Sequence, residues 1–155
     1  MVEREPLWDE PGGTALPDAR PAHQVTEGGR ALDRWRSAKR PLKAWDRVVD
    51  ELSPHEVARR LREAPERILL LDVREPFERE VAEITPSLHI PMQEVPSRLA
   101  EIPRDRTVVV YCHTGVRSAL VAGFLAHQGF SHVVNLGGGI DAWSLEVDSR
   151  VARYG

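Results

Sequence analysis

From residue 48 onward, short apolar runs alternate with stretches whose apolar residues return every third or fourth position. Ile68 to Val73 and Thr107 to Tyr111 are continuous rather than alternating, the pattern of strands covered on both faces. Ser87 to Pro91 and His132 to Leu136 read as two further short strands. Between them lie helix signals. At Ser53-Pro54-His55-Glu56, Ser53 suits the cap, Pro54 the first helical position, and Glu56 completes a capping box. Val57, Leu61 and Ala64 then share a face. Glu75-Pro76-Phe77-Glu78 opens a second helix and Pro96 to Glu101 forms a short one. Gly115 to Gln128 predicts a longer helix, with Val116, Leu120, Val121, Phe124 and Leu125 as its apolar positions. Gly137-Gly138-Gly139 precedes a last helix running through Trp143, which packs it on the sheet. Strands alternating with helices predict an α/β domain with a mostly parallel sheet.

Residues 1–47 have a different character. Pro6, Pro11, Pro17, Pro21 and Pro41 mix with Gly12, Gly13, Gly28 and Gly29, and the stretch to about residue 30 reads as loop or disorder. Charge is segregated there. Residues 1–29 set Arg4 and Arg20 against six acidic residues, a net −4. Residues 30–47 set seven basic residues against Asp33 and Asp46, a net +5. Leu32, Trp35, Leu42 and Trp45 suit one face of short basic helices broken at Pro41. The expected organisation is an N-terminal extension, 1–47, followed by one domain, 48–155. The extension reads as a helical lead-in packed on the domain, with a partner-docking arm as the alternative.

Composition narrows the function classes. The net charge of −3 over 155 residues predicts no general attraction to nucleic acid or acidic membranes, so anion binding must be local. No secretory signal and no run long enough to span a bilayer is read from the sequence. A single cysteine excludes an internal disulfide and a cysteine metal cluster, and suits a reducing cytoplasm. The scattered His23, His55, His89, His127 and His132 form no metal-ligand spacing. No metal or cofactor is expected.

Chemistry concentrates at Cys112-His113-Thr114-Gly115-Val116-Arg117-Ser118. A buried strand ends at Cys112 and a helix begins three or four residues later. That places the loop at the carboxyl end of a strand and the amino end of a helix, where open α/β sheets bind ligands. Unpaired N–H groups and a partial positive charge gather there. Gly115 lets the backbone curl, Arg117 adds a cation, and the Ser118 hydroxyl can donate to sulfur. Such surroundings favour the thiolate, which is the nucleophile, and would hold an anionic substrate. His113 either polarises substrate or is merely an exposed loop histidine. Asp72 and Arg74 close the first long strand and are expected to brace the loop. A small buried hydrophobe is the competing account of Cys112; the Gly-Val-Arg-Ser sequence that follows is hard to explain by packing.

Cys112 to Ser118 resembles the active-site loop of the rhodanese family of sulfurtransferases. Leu71-Asp72-Val73-Arg74-Glu75 resembles that family's first signature, and Leu136-Gly137-Gly138-Gly139-Ile140-Asp141-Ala142-Trp143 its last. The resemblance covers roughly residues 48–150. It implies a three-layer α/β/α fold with a central, mostly parallel five-stranded sheet. It also implies that Cys112 accepts a sulfane sulfur and becomes a persulfide. In this reading the amides of residues 113–117 (His113, Thr114, Gly115, Val116, Arg117) hold the persulfide, with Arg117 and Ser118 in support. The donor would be a small anion, thiosulfate or a persulfide. With no second cysteine, the acceptor must be an external thiol or sulfur-acceptor protein. The segment Ala82-Glu83-Ile84-Thr85-Pro86-Ser87 departs from the family's Gly-His-Ile-Pro-Gly-Ala and bears on the shape of the rim.

Two other classes remain in view. Cysteine phosphatases of related fold place five residues between cysteine and arginine; here there are four, enclosing a smaller anion. Rhodanese-like domains used only for binding commonly lack the cysteine, which is present here; a sulfur-carrier or protein-interaction module is the remaining alternative.

Overall fold

The computed structural model describes residues 49–155. The expected extension and its basic helices lie outside them. Strands β1 (Glu51–Leu52), β2 (Ile68–Asp72), β3 (Leu88–His89), β4 (Thr107–Tyr111) and β5 (Val133–Leu136) form one parallel sheet in the order β1-β5-β4-β2-β3. Helices α1 (Pro54–Glu63), α2 (Pro76–Val81), α3 (Val116–His127) and α4 (Gly139–Glu146) connect them. Strand order reverses between β2 and β4: the chain leaves β2 toward the β3 edge and leaves β4 toward the β1 edge.

Period-2 alternation sorts the side chains into two cores. Leu71, Val108, Val110 and Val133 face α3, packing with Val121, Phe124 and Leu125. Leu70, Val109, Tyr111 and Leu136 face α1 and α4, packing with Val57, Ile140 and Trp143. The result is the expected three layers. Both central strands are buried on both faces, which is why their sequences do not alternate.

Several local expectations shift. β1 was not legible as a strand; it pairs with β5 through Glu51–Asn135 and Leu52–Leu136. The short helix over 96–101 is two 3₁₀ turns, Met92–Ser97 and Leu99–Glu101, since Pro96 has no N–H for an α-helical bond. Ser53 caps α1 by accepting from the Glu56 N–H at 3.1 Å. The Glu56 carboxylate, however, turns to Arg59 and Arg60, so only half of the capping box forms. Val116 is not a core position: it is 75% exposed. The buried stripe of α3 runs through Ser118, Val121, Ala122 and Leu125, and Val116 falls off it at the open first turn.

Candidate active site

The alternation that buries Val108 and Val110 beneath α3 carries Cys112 to the same side, one residue past the end of β4. Gly115 then takes φ +105°, a conformation strained for any side chain, and turns the chain into α3. The thiol ends up inside the first turn of that helix. Its Sγ accepts from the Gly115 N–H at 3.2 Å and the Ser118 N–H at 3.3 Å, with Ser118 Oγ at 3.3 Å. These are helix-start donors with no carbonyl partner within the helix. Cys112 is 1% exposed, so its sulfur is sunk in the loop.

The loop is held from behind by α4. The Ile140 N–H donates to the Cys112 carbonyl at 2.9 Å and the Asp141 N–H to the His113 carbonyl at 3.1 Å. A Cβ on Gly139 would stand 2.3 Å from the His113 oxygen and 2.6 Å from the Cys112 oxygen. Only glycine lets the helix approach this closely, which gives the triple glycine its place in the site.

Arg117 projects from α3 to α2. Its two terminal nitrogens donate to the Glu78 carboxylate at 2.8 and 2.9 Å. Burial opposes ionisation of Glu78, but donation from Arg117, the Glu75 backbone and Tyr154 outweighs it and draws its carboxyl down to about 2. Hydrogen bonding to Glu78 holds the Arg117 guanidinium above its ordinary value. Tyr154 donates its hydroxyl to Glu78 at 2.9 Å, accepts from Arg74 at 3.1 Å, and stacks on the His113 ring with centroids 4.1 Å apart. Burial pushes the Tyr154 phenol up to about 12.

Beneath these groups Asp72 and Arg74 form a fully buried pair, joined at 2.7 and 2.9 Å. Asp72 also accepts from Arg79 at 2.9 Å and from the Tyr111 hydroxyl at 3.1 Å. Burial works against the Asp72 charge, yet the Arg74 side chain and backbone keep its carboxyl below the usual carboxylate range. Arg74 also donates to the carbonyls of Glu78 and Ala82, and its own carbonyl meets His89 Nε2 at 2.8 Å. The pair therefore braces α2 and with it Glu78, whose carboxylate holds Arg117, and it reaches the Cys112 loop through Tyr111 and Tyr154 as well. The altered rim segment is tied in as well: the Ile84 N–H donates to the Tyr111 hydroxyl at 3.2 Å.

The structure thus gathers Cys112, Gly115 and Ser118 around the sulfur and leaves Thr114 and Val116 exposed on the rim. The N–H groups directed at Sγ are those of Gly115 and Ser118. Arg117 enters as one half of an ion pair, not as an open cation. Sequence reasoning missed Glu78, Tyr154 and Asn135. For Asn135 a signal existed: a polar residue inside Val133-Val134-Asn135-Leu136 must find a partner if the strand is buried. No comparable signal marked Glu78 or Tyr154.

Comparison with known proteins agrees with this geometry. The family model described as Rhodanese-like domain matches residues 53–146. A sulfurtransferase of Allochromatium vinosum is 41% identical over 97 residues, covering 63% of this chain and 90% of that protein. The thiosulfate sulfurtransferase GlpE of Pseudomonas syringae is 36% identical over 90 residues, 58% of this chain and 83% of its own. Among solved structures, a rhodanese-related protein of Thermoplasma volcanium is 33% identical with a TM-score of 0.56, covering 63% of this chain and 93% of that one.

Proposed function

This chain belongs to the rhodanese-like domain family, and on that premise we propose that it transfers sulfane sulfur through a persulfide on Cys112. The donor is thiosulfate or a persulfide, and the acceptor is an external thiol, a sulfur-acceptor protein or, in the test tube, cyanide. The observation that carries this reading is a single thiol sulfur facing two backbone N–H groups and a serine hydroxyl at the start of a helix.

In the first half-reaction the Cys112 thiolate attacks the outer sulfur of thiosulfate. The new S–S bond forms as the old one breaks, and sulfite leaves with the bonding pair. In the second, cyanide or an acceptor thiolate attacks the outer sulfur of Cys112-S-S⁻, and the thiolate returns. The Gly115 and Ser118 N–H groups hold the inner sulfur. Arg117, fixed by Glu78, lends the loop mouth a positive side without being free to swing. GlpE is named for thiosulfate, which favours that donor in the assay.

The test is intact-protein mass spectrometry after brief incubation with thiosulfate, on the full chain and on Cys112→Ser. The expected result is one added sulfur on the parent protein alone, removed by cyanide. Sulfur loading of folded Cys112→Ser, or none on either protein with any donor of this class, overturns the reading.

A further inference from the structure

Ser118 carries one hydroxyl hydrogen and faces two acceptors. Its Oγ lies 2.6 Å from Asn135 Oδ1 and 3.3 Å from Cys112 Sγ. The orientation of the Asn135 amide is fixed by its other partners. Its Nδ2 sits 3.0 Å from Glu51 Oε2 and 3.2 Å from the Gly115 carbonyl oxygen, and both of those only accept. The end turned toward Ser118 is therefore the amide oxygen, which also only accepts. Alternation along β5 puts Asn135 there: it shares the α3 face with Val133, and it pairs in register with Val110, two residues before the thiol.

Two atoms thus compete for one hydrogen, and the 2.6 Å separation marks Asn135 as its holder in this arrangement. Ser118 then turns oxygen lone pairs toward the sulfur. That suits a neutral sulfur, either a thiol whose S–H donates to Oγ or the inner sulfur of a persulfide whose charge lies on the outer atom. It opposes a bare thiolate.

We infer that Asn135 is a positioning residue that makes the Ser118 hydroxyl a two-position switch, its hydrogen on Asn135 while Cys112 Sγ is neutral and on Sγ while it is a thiolate. The hydrogen stays on Ser118 and only rotates about the Cβ–Oγ bond; the thiol proton leaves to solvent when the sulfur ionises. Turning toward sulfur leaves Asn135 Oδ1 buried without that donor, so the thiolate is held less firmly than three uncontested donors would hold it. Asn135 thereby keeps the nucleophile from being over-stabilised. Which two states alternate in turnover rests on the persulfide reading; the competition for the hydrogen does not.

The experiment measures the rate of Cys112 alkylation by iodoacetamide against pH, a readout independent of sulfur transfer. It compares the full chain with Asn135→Leu, Asn135→Ala, Ser118→Ala and the double variant Asn135→Ala/Ser118→Ala. Removing the competing acceptor should lower the midpoint pH, by up to about one unit for one hydrogen bond. Ser118→Ala should raise it, and the double variant should match Ser118→Ala. The other charged and titratable groups around the loop are Arg117 with Glu78, His113 against Tyr154, Asp141 on α4, and Glu51 on β1. The Asn135 variants also release the Glu51 carboxylate and the Gly115 carbonyl; any difference between the double variant and Ser118→Ala measures that release, and the remainder reports on the hydroxyl. Folded Asn135 variants whose midpoint stays put, or rises as in Ser118→Ala, overturn the switch. If circular dichroism shows both Asn135 variants unfolded, crystal structures of the parent protein above and below its midpoint decide. Lengthening of Oγ–Oδ1 with shortening of Oγ–Sγ at high pH supports the switch, and unchanged distances refute it.

Discussion

The loop around Cys112 and the charged cluster beneath it solve opposite problems. Around the sulfur, the backbone N–H groups of Gly115 and Ser118 converge on an atom that carries negative charge only when ionised. In the cluster, Asp72, Arg74 and Arg79, with Glu78 and Arg117 above them, set carboxylates against guanidinium groups at 2.7–2.9 Å. The loop is left open to a negative charge that comes and goes; the cluster is closed on itself. Backbone dipoles keep their strength whatever the sulfur carries, whereas side-chain charges would collapse onto one another if unpaired. The first kind of donor surrounds Cys112 Sγ and the second kind forms the framework beneath it.

That division is sharpest at Arg74. Arg74→Met should cost about 3–5 kcal/mol of stability, because it strands the buried Asp72 charge. Arg79 remains as a partner for Asp72 and keeps the loss toward the lower figure. Urea unfolding measures it, and the fraction still folded should load sulfur normally. Equal loss of sulfur loading per folded molecule would erase the distinction between framework and loop.

Gly139→Ala tests the other side of the loop. A methyl group 2.3 Å from the His113 oxygen must displace α4 or the loop. The expected cost is about 2 kcal/mol in chemical unfolding, together with a fall in turnover that Arg74→Met should not share.

Glu78→Gln gives an acid signature. The Glu78 carboxyl falls from its ordinary 4.5 to about 2 on folding, so its contribution is complete above pH 4.5 and disappears as pH drops toward 2. Thermal melts across that window should lose part of their pH dependence in the variant. A residual slope from Asp72, whose carboxyl is also lowered, should remain. An unchanged slope would mean that the pair with Arg117 does not form in solution.

Ser53→Ala, at the start of α1, should cost about 1 kcal/mol through loss of the cap. Turnover should stay unchanged, which makes it the control for instability without damage to the site.

What could be read from sequence follows the same boundary. The run from Thr107 to Ser118 is contiguous, so strand, thiol, glycine and helix start were legible together. In the cluster only the local pair Asp72 and Arg74 was legible, because its outer contacts join positions far apart: Glu78 meets Arg117 across 39 residues and Arg74 meets Tyr154 across 80. Neither separation leaves a local pattern. Glu51–Leu52 was hidden for a different reason, since two residues are too few to show alternation. Val116 misled because an apolar residue in the first turn of a helix looks like core until the stripe of its neighbours is known.

Within the described residues the sheet ends on each side in a strand only two residues long, β1 and β3. A long bare edge invites another chain to add a strand and begin an aggregate. Here the pairing surface runs out almost as soon as it starts, so the sheet offers little template for self-association. A protein partner in the proposed sulfur transfer is then expected to meet side chains on the loop and helix surfaces of the described residues, where contacts are made and released without backbone ladders to unzip.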